Sequence, residues 1–286
     1  MRHTEQRQRL RAIFAGNQCF SPATIYDALS ARVAESVGFQ IGMLAGSVAS
    51  NTTLAAPDLI LITLTEFADQ VRRIMRDSNL SLVVDADHAY GNALNAMRCV
   101  QELEHAGVSC MSIEDTVLPR PFGQTVAETY TSIEEGVAKL RAAVSAKQDP
   151  AFMIAGRSSS LKSEGLEGAL ARFKAYEKTG IDAIFVVGLE SLEQIKAINA
   201  AIKLPIIVGS APASIKREDL APFNVKIMLQ GHQPVAAAVK ALQACYSHLF
   251  NGGAPADLKS SIASNDEMEK LLNADHYKQW QKDYLR

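Results

Sequence analysis

The stretch "SLVVDADHAYG", residues 81–91, decides the fold. Three branched apolar residues, Leu82, Val83 and Val84, as in a buried strand, run straight into two carboxylates spaced two apart, Asp85 and Asp87. Side chains alternate across a strand, so if the extended conformation persists both carboxylates lie on one side. Like charges so placed at the end of a buried element repel unless something positive sits between them.

Seven more apolar runs of similar length recur along the chain: 17–20 "NQCF", 39–46 "FQIGMLAG", 108–114 "VSCMSIE", 151–156 "AFMIAG", 181–188 "IDAIFVVG", 204–209 "LPIIVG" and 225–230 "VKIMLQ". Between them lie segments of helical periodicity such as "TEFADQVRRIMRDS", "GNALNAMRCVQELEHAG" and "SIEEGVAKLRAAVSAK". Continuous apolar strands alternating with helices imply parallel strands covered on both faces. Eight such units in 286 residues predict a closed α/β TIM barrel, (β/α)8, as one domain over 1–286. An open doubly wound sheet is disfavoured because no GxGxxG turn follows the first run. The stretch "SAPASIKREDLAPF" makes a poor helix between the last two strands. Residues 254–286 read as an appended C-terminal helical segment whose Tyr, Trp and Leu suit contacts with a partner subunit or with the barrel itself.

A net charge of −2, with 48% hydrophobic and 21% charged residues, argues against a nucleic-acid coat or a membrane-surface protein. The basic start "MRHTEQRQRLR" leads into "AIFAG", too short for the apolar core of a signal peptide. No apolar run approaches the roughly 20 residues of a membrane span, and a cytoplasmic protein is expected. Cys19, Cys99, Cys110 and Cys245 show no metal or redox spacing, and most or all of them read as buried small apolar residues.

In a barrel, chemistry sits at the C-terminal ends of the strands. Those ends carry Gly46 and Ser47, Asp85 and Asp87, Glu114 and Asp115, Arg157, Gly188 and Glu190, Gly209 and Ser210, and His232. Carboxylates gathered without a lysine among them suit a hard divalent cation such as Mg²⁺, which takes oxygen ligands and keeps several waters. A lone strand-end Asp is as often a helix cap, but a matched acidic set is not. Arg157 is a natural fork for a substrate carboxylate; its alternative is a structural salt bridge to Glu114 or Asp87. His232, after the last strand, is a candidate substrate contact or proton donor, with a surface loop histidine as the alternative.

"DADHAYGN" resembles the DxDxGYGN loop of the isocitrate lyase and phosphoenolpyruvate mutase superfamily, and "SIED" with "PRPFG" resembles its xIEDxxxPKxxG segment. "TIYDALSARVAESVGF", "LAGSVAS", "PDLILITLTE" and "IAGRSSS" fall in the matching order around them, so the likeness spans about 15–250. Within that superfamily the chain most resembles the oxaloacetate decarboxylase branch. The resemblance implies a (β/α)8 barrel, Mg²⁺ or Mn²⁺, a substrate bound through an α-keto or α-oxycarboxylate unit, and a homotetramer with exchanged C-terminal helices. It implies that Asp85, Asp87 and Glu114 hold the metal, partly through water. Asp58 would lie near the metal and its waters, Gly46 and Ser47 would bind the substrate carboxylate, and Arg157 would clamp it.

The departures narrow the chemistry. Where the superfamily's lyases carry a KKCGH loop with an acid-base cysteine, this chain has "TVLPRPFGQTVAE", without Cys, Lys or His. Arg120 stands where a Lys is usual, and Gly123 to Thr125 replace the residues that hold a phosphoryl group in the mutase. "AGRSSS" keeps the arginine of an ARTDA-like segment and loses its acid, and His88 replaces the loop's usual Gly. What remains is a carbon-carbon lyase that needs little beyond a metal: decarboxylation of oxaloacetate, a keto-dicarboxylate, to pyruvate and CO₂. The alternatives are C–C cleavage of a larger 2-hydroxy acid such as methylisocitrate, and a protein that binds a dicarboxylate without turnover.

Overall fold

The strands form where apolar residues are covered almost throughout, one face by the barrel interior and the other by helices. In the computed structural model, which describes residues 3–120, 123 and 129–285, eight parallel strands pair in sequence order. The chain runs α1 (Thr4–Ala15), β1 (Ala23–Thr24), α2 (Ala28–Val37), β2 (Ile41–Leu44), α3 (Gly46–Leu54), α4 (Leu64–Met75), β3 (Ser81–Asp85), α5 (Ala93–Ala106), β4 (Cys110–Glu114), α6 (Ile133–Ser145) and β5 (Met153–Ser158). It continues through α7 (Ser160–Ser163), α8 (Gly165–Glu177), β6 (Ala183–Val186), α9 (Leu192–Ala201), β7 (Ile206–Val208), α10 (Arg217–Leu220), β8 (Val225–Met228), α11 (Gln233–Phe250), α12 (Asn265–Leu271) and α13 (Ala274–Tyr284). Gln124 and Thr125, part of the segment that departs from the mutase pattern, lie outside the described residues.

The first strand corrects the sequence reading. The run 17–20 does not form β1; residues 23–24 do, pairing with Gly42 and Met43. Phe20 bonds instead to the last strand, its N–H donating to the Lys226 carbonyl at 2.8 Å and its carbonyl accepting from Met228 N–H at 2.9 Å. Pro22, between the two, has no N–H to continue a ladder, so the chain changes partner there. The same change brings the first and last strands together, which closes the sheet into a barrel.

Helices cover the sheet where their apolar stripes allow. α4 buries Phe67, Ala68, Val71, Ile74 and Met75, one face of a 3.6-residue period, and Thr63 caps its start by accepting from Glu66 N–H at 3.3 Å. The weak segment before β8 yields only α10 and a short 3-10 turn, as its composition predicts. The basic N-terminus folds as α1 across the N-terminal ends of the strands. Its Arg7, 1% exposed, donates to Asp149 Oδ2 at 2.8 Å and to the Val108 carbonyl at 2.9 Å. α1 therefore covers the N-terminal ends of β3, β4 and β5, the end opposite the strand-end acids. Among the described residues no helix is long and apolar enough to cross a membrane.

Candidate active site

Strand register assembles the site. Asp85 on β3 lies beside Ser112 on β4, and Ser112 Oγ donates to Asp85 Oδ1 at 3.1 Å. Glu114 on β4 lies beside Arg157 on β5, which in turn lies beside Phe185 on β6. Arg157 therefore reaches along one layer of the barrel mouth. Its Nη1 donates to Asp85 Oδ2, its Nη2 sits 3.1 Å from Glu114 Oε2, and its guanidinium lies 5.6 Å from the centre of the Phe185 ring. Burial opposes the charge on Arg157, but Asp85, Glu114 and Asp87 outweigh it and hold the group protonated. The salt bridge considered as an alternative is present, with Asp85 rather than Asp87 as the second acid.

Asp87 stands one step further out, on a turn whose residues Asp87, Ala89 and Tyr90 all have positive φ, 48°, 60° and 59°. None is glycine, so the turn is held in a conformation its side chains disfavour. The Asp87 side of that turn packs against the start of α3. A Cβ on Gly46 would fall 2.7 Å from Asp87 Oδ1 and 2.9 Å from Oδ2, so only glycine lets the carboxylate approach. Ala45 gives α3 no side-chain cap, and Ser47 follows Gly46 in its first turn. Asp87 is 6% exposed. Burial, then the charges of Asp85, Glu114 and Asp58, push its pKa up to about 8 against the pull of Arg157.

Asp58, in the loop between α3 and α4, belongs to the same mouth: burial and Asp85 raise its pKa, while Arg157, Arg120 and His232 lower it. His232 precedes α11, with Nδ1 3.1 Å from the Thr24 hydroxyl. Burial lowers its pKa, and Asp85 and Asp58 oppose the shift. The structure thus brings Gly46, Ser47, Asp58, Asp85, Asp87, Glu114, Arg157 and His232 to one end of the barrel. Among the described residues no three His, Cys, Asp or Glu side chains converge closely enough to form a ready-made metal cage.

Asp115 leaves this set. It turns behind the strand, where Tyr176 Oη donates to its Oδ2 at 2.7 Å and Arg172 Nη1 lies at 3.2 Å. Consecutive residues at a strand end point opposite ways, so if Glu114 faces the mouth Asp115 cannot. Ser112, Thr24 and Phe185 are supporting residues that sequence reasoning missed. Ser112 was readable, since it lies two before Glu114 on the same strand face; Thr24 was hidden by the displaced first strand. Lys139 was also missed: it is buried on α6, with Nζ donating to the His88 carbonyl at 3.2 Å.

Residues 10–250 match the family model described as phosphoenolpyruvate phosphomutase. An oxaloacetate decarboxylase of Bradyrhizobium diazoefficiens is 45% identical over 273 residues, 95% of this chain and 94% of that protein. Among solved structures, a phosphoenolpyruvate phosphomutase from Streptomyces platensis subsp. rosaceus superposes with a TM-score of 0.89 at 25% identity, covering 98% of this chain and 99% of the other. A phosphonopyruvate hydrolase in complex with oxalate and Mg²⁺ gives 0.88 at 26% identity over 98% and 99% of the two chains. With the model covering most of its length and such a relative beside it, the chain belongs to the phosphoenolpyruvate phosphomutase family.

Proposed function

We propose that this chain is a carbon-carbon lyase that decarboxylates oxaloacetate, or a close 3-carboxy-2-keto acid, to pyruvate and CO₂ with a divalent cation, Mg²⁺ or Mn²⁺. One observation carries the reading: the mouth holds carboxylates around the fixed guanidinium of Arg157, and no thiol among the described residues joins them. Cys19, Cys99 and Cys110 are buried elsewhere, and Cys245 lies on α11. Cleavage that depends on an acid-base cysteine therefore lacks its group, whereas decarboxylation needs no nucleophile. The 45% identity to a protein named oxaloacetate decarboxylase supports the same substrate.

Loss of CO₂ from C3 leaves an electron pair that delocalises onto the keto oxygen, so the site must stabilise a developing oxyanion. Arg157, kept charged by Asp85 and Glu114, would add positive charge beside that oxygen. The uncapped first turn of α3, at Gly46 and Ser47, would bind the substrate carboxylate through backbone N–H groups. His232, steadied by Thr24, would contact the distal carboxylate or return a proton to C3, and Asp58 would order nearby water.

The residues present fit a hard cation. Asp87 is a buried carboxylate among other carboxylates, and Asp85 and Glu114 stand beside it while also engaging Arg157. Asp85, Asp87 and Glu114 would hold the ion, partly through water, as Mg²⁺ sites commonly do. When bound, the cation supplies Lewis-acid polarisation of the substrate's keto and carboxylate oxygens. Oxalate, seen with Mg²⁺ in the related hydrolase, carries two adjacent oxyanions as a pyruvate enolate does. The test is pyruvate formation from oxaloacetate by purified protein with Mg²⁺ and then with a chelator, corrected for the metal's own rate. Chelator-sensitive turnover supports the reading. Absence of turnover above background refutes it and turns attention to methylisocitrate-like acids and then to binding alone.

The assembly we infer is a homotetramer in which α11 to α13 make subunit contacts. α11 has 18 residues and none is buried; Tyr246 and Phe250, the latter 91% exposed, face outward. Beside it Leu29, Val33, Val37 and Phe39 line an apolar groove of about 510 Å³ with Pro22 and Pro234. An apolar helix and an apolar groove in one chain suit exchange between copies. Light scattering of the wild type and of Leu242→Glu measures this, with a smaller species expected for the variant.

A further inference from the structure

We propose that Lys139 is a positioning residue for the cation site: its buried ammonium ties the left-handed turn that carries Asp87 to helix α6. This rests on the reading of the site given above. Residues with side chains hold positive φ only where their surroundings over-determine it. Within the turn, Glu114 N–H donates to the Asp87 carbonyl and Ala89 N–H to the Ala86 carbonyl, both at 2.8 Å, and Asp87 N–H reaches Asp85 Oδ1 at 3.3 Å. A further tie comes from the helix layer. Lys139 Nζ donates to the carbonyl of His88, in the peptide that links His88 to the left-handed Ala89 and Tyr90.

Lys139 is 5% exposed, which a lysine seldom is unless paired. Glu135, Asp115 and Glu114 are the charges around it. The helix it stands on is a firm anchor. One turn before it, Gly136 leaves room for Tyr176, whose hydroxyl would lie 2.6 Å from a Cβ at that position. The Tyr176 hydroxyl in turn donates to Asp115, the residue after Glu114, which Arg172 also holds. Lys139 therefore stands on a helix fixed to the end of β4 and reaches the turn that follows β3. It couples the segment bearing Asp85 and Asp87 to the strand bearing Glu114. Without the ammonium the His88–Ala89 peptide loses its tie to the helix layer, and the turn that aims Asp87 is held by its internal hydrogen bonds alone.

The test is Mn²⁺ binding to the metal-free protein by electron paramagnetic resonance, together with kcat and KM for oxaloacetate at saturating Mn²⁺. Lys139→Met keeps the stem and removes the donor. Its Mn²⁺ dissociation constant is expected to rise about tenfold or more and kcat to fall comparably, with KM within about twofold of wild type. Lys139→Arg, which restores a charged donor, is expected to recover most of both losses. If the Met variant does not fold, Lys139→Gln is read in its place, with changes in the same direction. A folded Met or Gln variant that binds Mn²⁺ and turns over within about twofold of wild type overturns the proposal, even if its melting temperature falls. A wild type that binds no Mn²⁺ overturns instead the cation reading on which it rests.

Discussion

Gly46→Ala isolates the contact on which the position of Asp87 depends. The backbone at Gly46 is helical and accepts alanine, so the only new element is a methyl group. That methyl falls 2.7 Å from Asp87 Oδ1 and 2.9 Å from Oδ2, where ordinary contact begins near 3.4 Å. The carboxylate, or the start of α3, must then retreat by about 0.7 Å at Oδ1 and about 0.5 Å at Oδ2. A displacement approaching 1 Å at a reacting centre costs on the order of a hundredfold in rate, or about 2.7 kcal/mol of transition-state stabilisation. Alanine is the better helix former by up to about 1 kcal/mol, so global stability is not expected to fall in parallel. The assay is kcat/KM for oxaloacetate beside Mn²⁺ affinity and thermal melting. The expected result is a loss of about a hundredfold in kcat/KM with weakened Mn²⁺ binding and a melting temperature within a few degrees of wild type. A variant with wild-type kcat/KM and Mn²⁺ affinity would show that the approach of Asp87 to α3 is irrelevant to the chemistry.

Three further outcomes are expected. Asp87 titrates near 8 in the fold against about 4 in the unfolded chain, so the fold binds the extra proton between those values and the metal-free protein loses stability as pH rises from about 4 to about 8. Asp87→Asn removes that slope and melts higher than wild type at pH 8.5 without metal, while abolishing turnover; an unchanged slope counts against the burial of its charge. His232→Gln is expected to lower kcat/KM, and separate kcat and KM values tell a lost proton donor from a lost substrate contact; if neither changes, His232 is not in the site. Arg7→Met strands Asp149 at the N-terminal end of the barrel and is expected to cost about 3–5 kcal/mol in denaturant unfolding, with kcat of the folded fraction intact; a loss below about 1 kcal/mol refutes the role of that pair.

The barrel was legible because seven of its eight strands fall within largely apolar runs, a pattern that needs cover on both faces. β1 was not, because two residues suffice for it and Phe20, two residues before Pro22, pairs with β8 instead. α1 escaped notice for a related reason: its basic surface hides one arginine whose partners come from residues 108 and 149, far along the chain. The acids at the strand ends were readable from position alone, since a strand end fixes where a side chain begins. What surrounds them was not. The conformation of residues 87–90 contradicts local preference, and Lys139, Thr24 and Phe185 meet the site only through register and helix packing.

Two independent costs fall on the same few residues. Left-handed backbone at Asp87, Ala89 and Tyr90 opposes folding by something on the order of 1 kcal/mol or more at each residue. Gathering Asp58, Asp85, Asp87 and Glu114 opposes it again, and Arg157 is paired with only two of the four. A sequence selected for stability alone would relieve either cost with one substitution, such as asparagine at 87 or glycine at 89. Relieving the charge would remove the acid nearest the uncapped end of α3, and relieving the strain would loosen the turn that aims it. Both costs therefore buy one thing, a negative centre held rigidly beside a fixed guanidinium. That pairing of opposite charges at a barrel mouth is what a keto-dicarboxylate and a hard cation together require.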